Sequence, residues 1–398
     1  MAAAAGLQHE TLGVTDGSLL LGERAATLAL RRRGRISPGG SCRLLRASDG
    51  WIAVNLAREE DWSSVNAWLE ADLGATAGRG SEAGWNAVAE GVGQLPAEAL
   101  VDRARTLGMP AAWSEPPVSV PPPWLRVHAD ADDRGASTRH HRPPLVVDLS
   151  SLWAGPLCTR LLGLAGARVL KVESLTRPDG ARRGPAGFFD RMHSGKQSVA
   201  FDFRSDAGRA ALRSLVERAD IVVESARPRA LAQLGIDAEA CVRASGGPVW
   251  VSLTGYGRAE PYGGWVAFGD DAAVAAGAAH VAAGKDVTSP VFCGDAIADP
   301  LAGSHAALAA LAYYVAGRPA LLDVSLRSVV AHVLGCDADR LPPRAPARVL
   351  ETSNGRFEVH AGNQRARVAA PRALPLRGSA RPLGADTTAV AAEFGLPC

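Results

Sequence analysis

The sequence predicts an α/β protein: a doubly wound, mostly parallel sheet in a large domain, with a smaller α+β domain beside it. Three observations predict this. From residue 143 onward, short β-branched runs alternate with helical patterns, as they do in a parallel sheet covered by helices on both faces. Before residue 125 the pattern is a hairpin followed by helices, which suits a separate small unit. Between the two lie P-P-V-S-V-P-P-P-W (116–124) and the polar stretch 130–142, a composition that suits a linker. The expected divisions are 1–125 for the small domain, 126–142 for the linker, 143–335 for the large domain and 336–398 for an irregular tail.

Taken in order, residues 18–35 carry a helical pattern that ends in the basic cluster Arg31, Arg32 and Arg33, read as a solvated helix end. Two strand-like runs follow, joined by Asp49-Gly50, where glycine tolerates the positive φ of a tight turn. Helical patterns cover 60–73, 81–93 and 97–107. In the large domain the strands are expected at 145–150, 168–174, 198–203, 220–225, 249–254 and 321–326, with helices at 156–165 and 206–219. The tail suggests a hairpin over 349–362 and a short helix over 386–394. In a Rossmann-like sheet of this kind, ligands sit beyond the carboxyl ends of the strands.

Composition narrows the function classes. With 47% hydrophobic and 21% charged residues, the 398-residue chain is neither disordered nor rich enough in long apolar runs to span a membrane. A formal charge of +2 gives no reason to expect a nucleic-acid or membrane partner. Only Lys171, Lys196 and Lys285 are lysines among the 43 basic residues, a compositional bias spread over the whole chain. The six cysteines form no C-x-x-C pair and the histidines show no ligand spacing, so neither a metal nor a disulfide framework is expected. The N-terminus lacks a signal-peptide pattern, and a cytoplasmic location is expected.

The chemistry centres on I-A-D-P-L-A-G-S-H. Asp299, followed by Pro300 and an Ala/Leu-rich run, reads as the N-cap of a helix with proline at the first helical position. The helix dipole there favours an ionised carboxylate, which suits either a cap or a nucleophile. Asp295, four residues earlier, reads as a loop residue. No G-x-G-x-x-G follows the first large-domain strand, and there is no P-loop, G-x-S-x-G or H-E-x-x-H.

Five segments in order carry a resemblance: A-G-P-L-C-T-R-L-L-G-L-A-G-A-R-V-L-K-V-E, H-S-G-K-Q-S-V-A-F-D-F, A-D-I-V-V-E-S-A-R-P, V-W-V-S-L-T-G-Y-G and I-A-D-P-L-A-G-S-H. Over about 143–330 the chain resembles the family III coenzyme A transferases, which also include α-methylacyl-CoA racemases. Residues 31–75 resemble the small domain of the same family, although that domain ordinarily follows the large one. R-P-L-G-A-D-T-T-A-V-A-A-E-F-G resembles the family's closing helix, so the order looks permuted, or the chain is what remains of a duplicated, fused ancestor.

The resemblance implies an acyl-CoA and a carboxylic acid as substrates, no further cofactor, and an interlocked homodimer. It implies that Asp299 attacks the thioester and passes through an aspartyl anhydride and an aspartyl-CoA thioester. Asp270 matches a supporting acid, with Asp271 as the fallback if the register slips by one. The implied CoA contacts are Trp153, Ala154, Ser174, Phe201, Arg204, Ser225, Ala226, Arg227 and Arg229. Ser174 stands where relatives usually carry a basic residue, and Arg229 is a replacement for that charge. Racemases place a histidine at the position of Gly269, so its absence favours transfer. A racemase or epimerase, and a non-catalytic CoA-binding subunit, stay as alternative readings.

Overall fold

The structure, a computed structural model, describes residues 17–72, 78–130, 143–283, 289–336, 347–354, 356–376 and 378–397. The sheet that organises it begins in its own middle. β5 (Leu145–Leu149) lies between β6 (Arg168–Ser174) and β8 (Ile221–Glu224). The chain runs outward through β6 to β7 (Gln197–Phe201), then crosses back and runs through β8 and β9 (Val249–Thr254) to β10 (Ala320–Ser325). Every neighbouring pair in this set is parallel. This is the doubly wound arrangement expected from the sequence, with the strand order reversing between β5 and β8.

The strands are buried on both faces, which is why they read as continuous β-branched runs. Val146, Val223, Val251 and Val324 pack on the face covered by the helices Ala154–Leu164 and Ala298–Val315. Val147, Val222, Trp250 and Leu321 pack on the other face, with Leu212 and Leu215 of the helix Asp206–Arg218 and Val390 of the helix Thr387–Phe394.

A seventh strand departs from the expected organisation. β4 (Leu125–Asp130) pairs antiparallel with β10 at the sheet's edge, within the stretch expected to begin the linker. Its side chains are mostly exposed, so no apolar run marks it in the sequence. The rest of the expected linker, 131–142, lies outside the described residues.

The N-terminal segment forms a unit with its own core. β1 (Cys42–Arg46), β2 (Trp51–Asn55) and β3 (Ala111–Trp113) make an antiparallel sheet, its hairpin turning at the expected Asp49-Gly50. Trp68, Trp85, Val88 and Leu100 fill the core behind it. The first helix ends earlier than expected, at Leu28 rather than at residue 35. Ala29 takes φ 52°, which stops the helix, and Arg33 instead bridges to Ile36. In the tail, β11 (Ala347–Glu351), β12 (Phe357–Ala361) and β13 (Gln364–Arg367) form a small antiparallel sheet, one strand more than the expected hairpin. Among the described residues no helix is long and apolar enough to cross a membrane.

Candidate active site

The crossover from β9 to β10 brings the start of the Ala298–Val315 helix to the carboxyl end of the sheet. The helix is built from small residues because it packs tightly. A Cβ on Gly303 would lie 2.5 Å from the Ala154 carbonyl oxygen, so glycine lets this helix close on the turn after β5. That contact, one turn beyond Asp299, holds the start of the helix against the turn after β5. Both chain reversals here carry non-glycine residues at positive φ, Leu152 at 71° and Ala296 at 42°. Such backbone is costly and persists only where its surroundings hold it. The Leu152 N–H donates to Asp179 (3.1 Å), and the Ala296 N–H donates to Asp270 (2.9 Å).

Asp299 is not the helix cap expected from the sequence. The cap is Ile297 and the helix begins at Ala298, because the Asp299 N–H already donates to the Ala296 carbonyl. Its carboxylate instead faces a second helix start, at Gly269–Ala275, and accepts from the Gly269 N–H. A Cβ on Gly269 would overlap Asp299 Oδ2 and the Ala296 carbonyl oxygen. A side chain at position 269 would therefore have to displace Asp299 and the Ala296 backbone.

Three more acids surround it. Asp270 and Asp271 lie in the first turn of the Gly269–Ala275 helix, and Asp295 is 3% exposed despite its place in a loop. Asp295 is thus part of the cluster, a correction to its reading as a loop residue only. Asp271 is committed elsewhere: it caps its own helix at the Phe268 N–H (3.0 Å) and accepts from Asn55 Nδ2 (3.3 Å). Asp270 and Asp295 are the acids whose charges act on Asp299. The sheet β1–β3 supplies Asn55, and its Cys42, Leu44 and Ala53 pack on Val274 and Ala279. The N-terminal segment therefore closes over the acid cluster within the same chain.

Electrostatics overturn the expectation that the helix start keeps Asp299 ionised. Burial pushes its pKa up. Arg24 pulls it down, Asp270 and Asp295 push it back, and the result is about 7. Burial, with Asp295 adding to it, raises Asp270 to about 6. Burial, opposed by the Phe268 N–H and Asn55, still raises Asp271 to about 8. Asp295 is raised by burial against the pull of Arg24. Arg24 is the cation that acts on three of the four acids, and no sequence signal marks it because it sits far off in the first helix.

The other expected contacts divide into two groups. Trp153 (3% exposed) and Ala154 (6%) are buried, Trp153 under the Arg24 guanidinium and Ala154 against Gly303. Ser225 Oγ accepts from the Ser151 N–H (3.0 Å) and so ties β8 to β5 at the switch point. The Ala226 N–H donates to Glu224 (2.8 Å). Arg227 and Arg229 line a cleft of about 410 Å³ with Arg58, Arg105 and Trp265, across the boundary with the N-terminal segment. Arg227 feels burial first and then the like charges of Arg229, Arg58 and Arg177, all of which push its pKa down. The remaining three lie apart. Phe201 is core on the opposite face, Arg204 is exposed and paired with Asp202 (3.2 Å), and Ser174 is spent on Thr176 (3.1 Å). Among the described residues no group of three or more His, Cys, Asp or Glu could hold a metal ion.

Comparison with known proteins identifies the family. A family model described as CoA-transferase family III matches residues 144–366, more than half of the chain. The chain belongs to CoA-transferase family III. Within that family, an acyl-CoA transferase of Fusarium pseudograminearum is 31% identical over 173 residues, covering 40% of this chain and 38% of the relative. A succinyl-CoA–D-citramalate CoA-transferase of Chloroflexus aurantiacus is 27% identical over 243 residues, covering 55% and 60%. The crystal structure of a CaiB/BaiF family protein from Brucella suis aligns with a TM-score of 0.45 at 25% identity, over 55% of this chain and 65% of that one. The family III chain described here thus spans roughly half the length of the curated relatives it matches.

Proposed function

We propose that this chain moves coenzyme A from an acyl-CoA to a carboxylic acid, with Asp299 as the nucleophile. The observation that carries the reading is the seat of Asp299: a partly buried carboxylate held on the Gly269 N–H, with its pKa near 7. At that value a substantial fraction is ionised near neutral pH, while the anion is more basic, and so more nucleophilic, than an ordinary aspartate.

Asp299 attacks the thioester carbonyl, and the C–S bond breaks to release CoA thiolate and leave a mixed anhydride. Thiolate then attacks the aspartyl carbonyl carbon. The donor acid leaves as its carboxylate, and Asp299 carries an aspartyl-CoA thioester. The acceptor carboxylate displaces thiolate to form a second anhydride, and thiolate takes the acceptor's acyl carbon to give the new acyl-CoA and free Asp299. Protons balance throughout without a separate acid or base. The Gly269 N–H is a ready donor for developing oxyanions.

The Arg58–Arg105–Arg227–Arg229 cleft supports binding of the phosphate groups of coenzyme A, a role in which arginine forks are favoured. Racemisation is the weaker reading because Gly269 leaves no room for the histidine that it needs. By likeness to the Chloroflexus relative, small dicarboxylic acids are the first acceptors to try. Assembly as a homodimer and a cytoplasmic location, carried over as expectations, belong to the same proposal.

Intact-mass and peptide mass spectrometry after incubation with succinyl-CoA test the reading. A covalent adduct that maps to Asp299, reacts with hydroxylamine and is missing from Asp299→Asn is the expected result. A wild-type chain that binds coenzyme A yet forms no adduct with any acyl-CoA would sink it.

A further inference from the structure

The helix Gly17–Leu28 carries two adjacent charged residues with opposite fates. Glu23 is 1% exposed and fully used: it pairs with Arg160 (2.5 Å) and Arg191 (3.4 Å) and accepts from the Leu374 N–H. That network anchors the helix to the large domain. Arg24, the next residue, points into the acid cluster and is left underused.

Its guanidinium rests over the rings of Trp153 (5.2 Å) and Phe188 (5.8 Å), which meet edge to face at 5.5 Å. It pairs with Asp295 at 3.3 Å, but neither carboxylate oxygen of Asp295 has a hydrogen-bond partner. The Arg24 side chain is 24% exposed against 3% for Asp295, so the guanidinium reaches solvent while the acid is buried. Gly39 packs against the fork, where a Cβ would lie 3.0 Å from Nη2.

A guanidinium offers five N–H donors in a planar fork that matches a carboxylate by two-point contact. Here two aromatic rings hold the plane of that fork, and among the described residues its contact with Asp295 is an ion pair without a hydrogen bond, which leaves N–H donors for an incoming anion. An anion entering this crevice meets Asp270, Asp295 and Asp299, and it needs a cation to offset their repulsion. We infer that Arg24 is the binding residue for the carboxylate of the acceptor acid, gripping it beside Asp299. In the reaction proposed above, that carboxylate forms the new C–O bond to the aspartyl carbon as the C–S bond to CoA breaks. The role in turnover rests on the transferase reading; the binding itself does not.

Calorimetry on the full chain without any thioester separates the two, with oxalate, succinate, glutarate and acetate as probes. Wild type is expected to bind at least one of them. Arg24→Gln is expected to weaken binding tenfold or more, and Arg24→Lys, which keeps the charge but loses the fork, by a smaller factor. In turnover, Arg24→Gln raises KM for the acceptor, and because Arg24 also pulls Asp299 toward its ionised form, the midpoint of Asp299 labelling moves to higher pH. Unchanged carboxylate binding in Arg24→Gln overturns the assignment, and so does a wild type that binds none of the four. Should Arg24→Gln fail to fold, binding by Arg24→Lys equal to wild type overturns it as well. Loss of Asp299 labelling in wild type counts against the proposed nucleophile alone.

Discussion

Two groups of buried aspartates sit at the carboxyl ends of one sheet, and they are built in opposite ways. Asp148, on β5, is completely buried and completely satisfied. It accepts from the Ser150 N–H (3.0 Å), the Ser150 and Thr159 hydroxyls, and Lys196 Nζ (3.0 Å). Lys171 adds a second cation and itself pairs with Asp179 (3.1 Å). Burial pushes Asp148 up, but Lys196 and Lys171 outweigh it and hold the carboxyl below its ordinary range. Around Asp299 the balance is reversed. Three of the four acids share one cation, Arg24; Asp271 Oδ2 and both Asp295 oxygens lack hydrogen-bond partners among the described residues, and every one of the four is raised. A buried acid with all its donors holds the fold together. Buried acids left short of donors are poised for a ligand to complete them.

That contrast sets the size and sign of what mutation does. The largest effect is expected at Lys196. Lys196→Met strips buried Asp148 of the cation that bonds it and leaves only the more distant charge of Lys171, and should cost about 3–5 kcal/mol, read as a lowered denaturation midpoint in urea. A midpoint within error of wild type would show that the Asp148 network does not carry the fold. Next is Gly269→Ala, whose methyl must displace Asp299. With the fold retained, the rate of Asp299 labelling should fall roughly 10- to 100-fold, as expected for a misplacement on the scale of 1 Å. Labelling at the wild-type rate would mean that Asp299 reacts from some other seat.

The smallest effect is on stability at the acid cluster, and its sign is opposite to that at Lys196. The pKa of Asp299 is raised from 3.8 to about 7 on folding, so the unfolded chain loses this proton first as pH rises. Its contribution to stability is therefore lost between about pH 4 and pH 7. Asn at this position cannot ionise. Asp299→Asn should melt higher than wild type at pH 8, by roughly 1–3 °C, with little difference at pH 4. A lower melting temperature at pH 8 would place Asp299 with Asp148 as a structural acid.

How far the sequence reveals this molecule follows from the physics of each part. All six parallel strands are legible because burial on both faces selects unbroken β-branched runs such as Leu145–Leu149 and Val249–Thr254. β4 is not, because an exposed edge strand carries Arg126, His128 and Asp130 and resembles a loop. Asp299 is legible as the centre of a motif, but its role as a cap is not. Ala296 takes a positive φ that lets the helix start one residue before it, and no local pattern announces that. Asp295 stands four residues before Asp299, a spacing compatible with one shared face, yet only the folded loop buries it. Arg24 and Asn55 reach the site from the N-terminal segment, where nothing in their neighbourhoods marks them. The arginine cleft is half legible: Arg227 and Arg229 lie in a motif, whereas Arg58 and Arg105 do not.

The rate at which succinyl-CoA labels Asp299, measured from pH 5 to pH 9, tests the central claim most directly. The groups that set its charge are Asp270, Asp295, Arg24 and the Gly269 N–H. If Asp299 is the nucleophile in its present seat, labelling rises with pH and levels off above a midpoint near 7. A profile flat across that range, or an adduct that persists in Asp299→Asn, would contradict it.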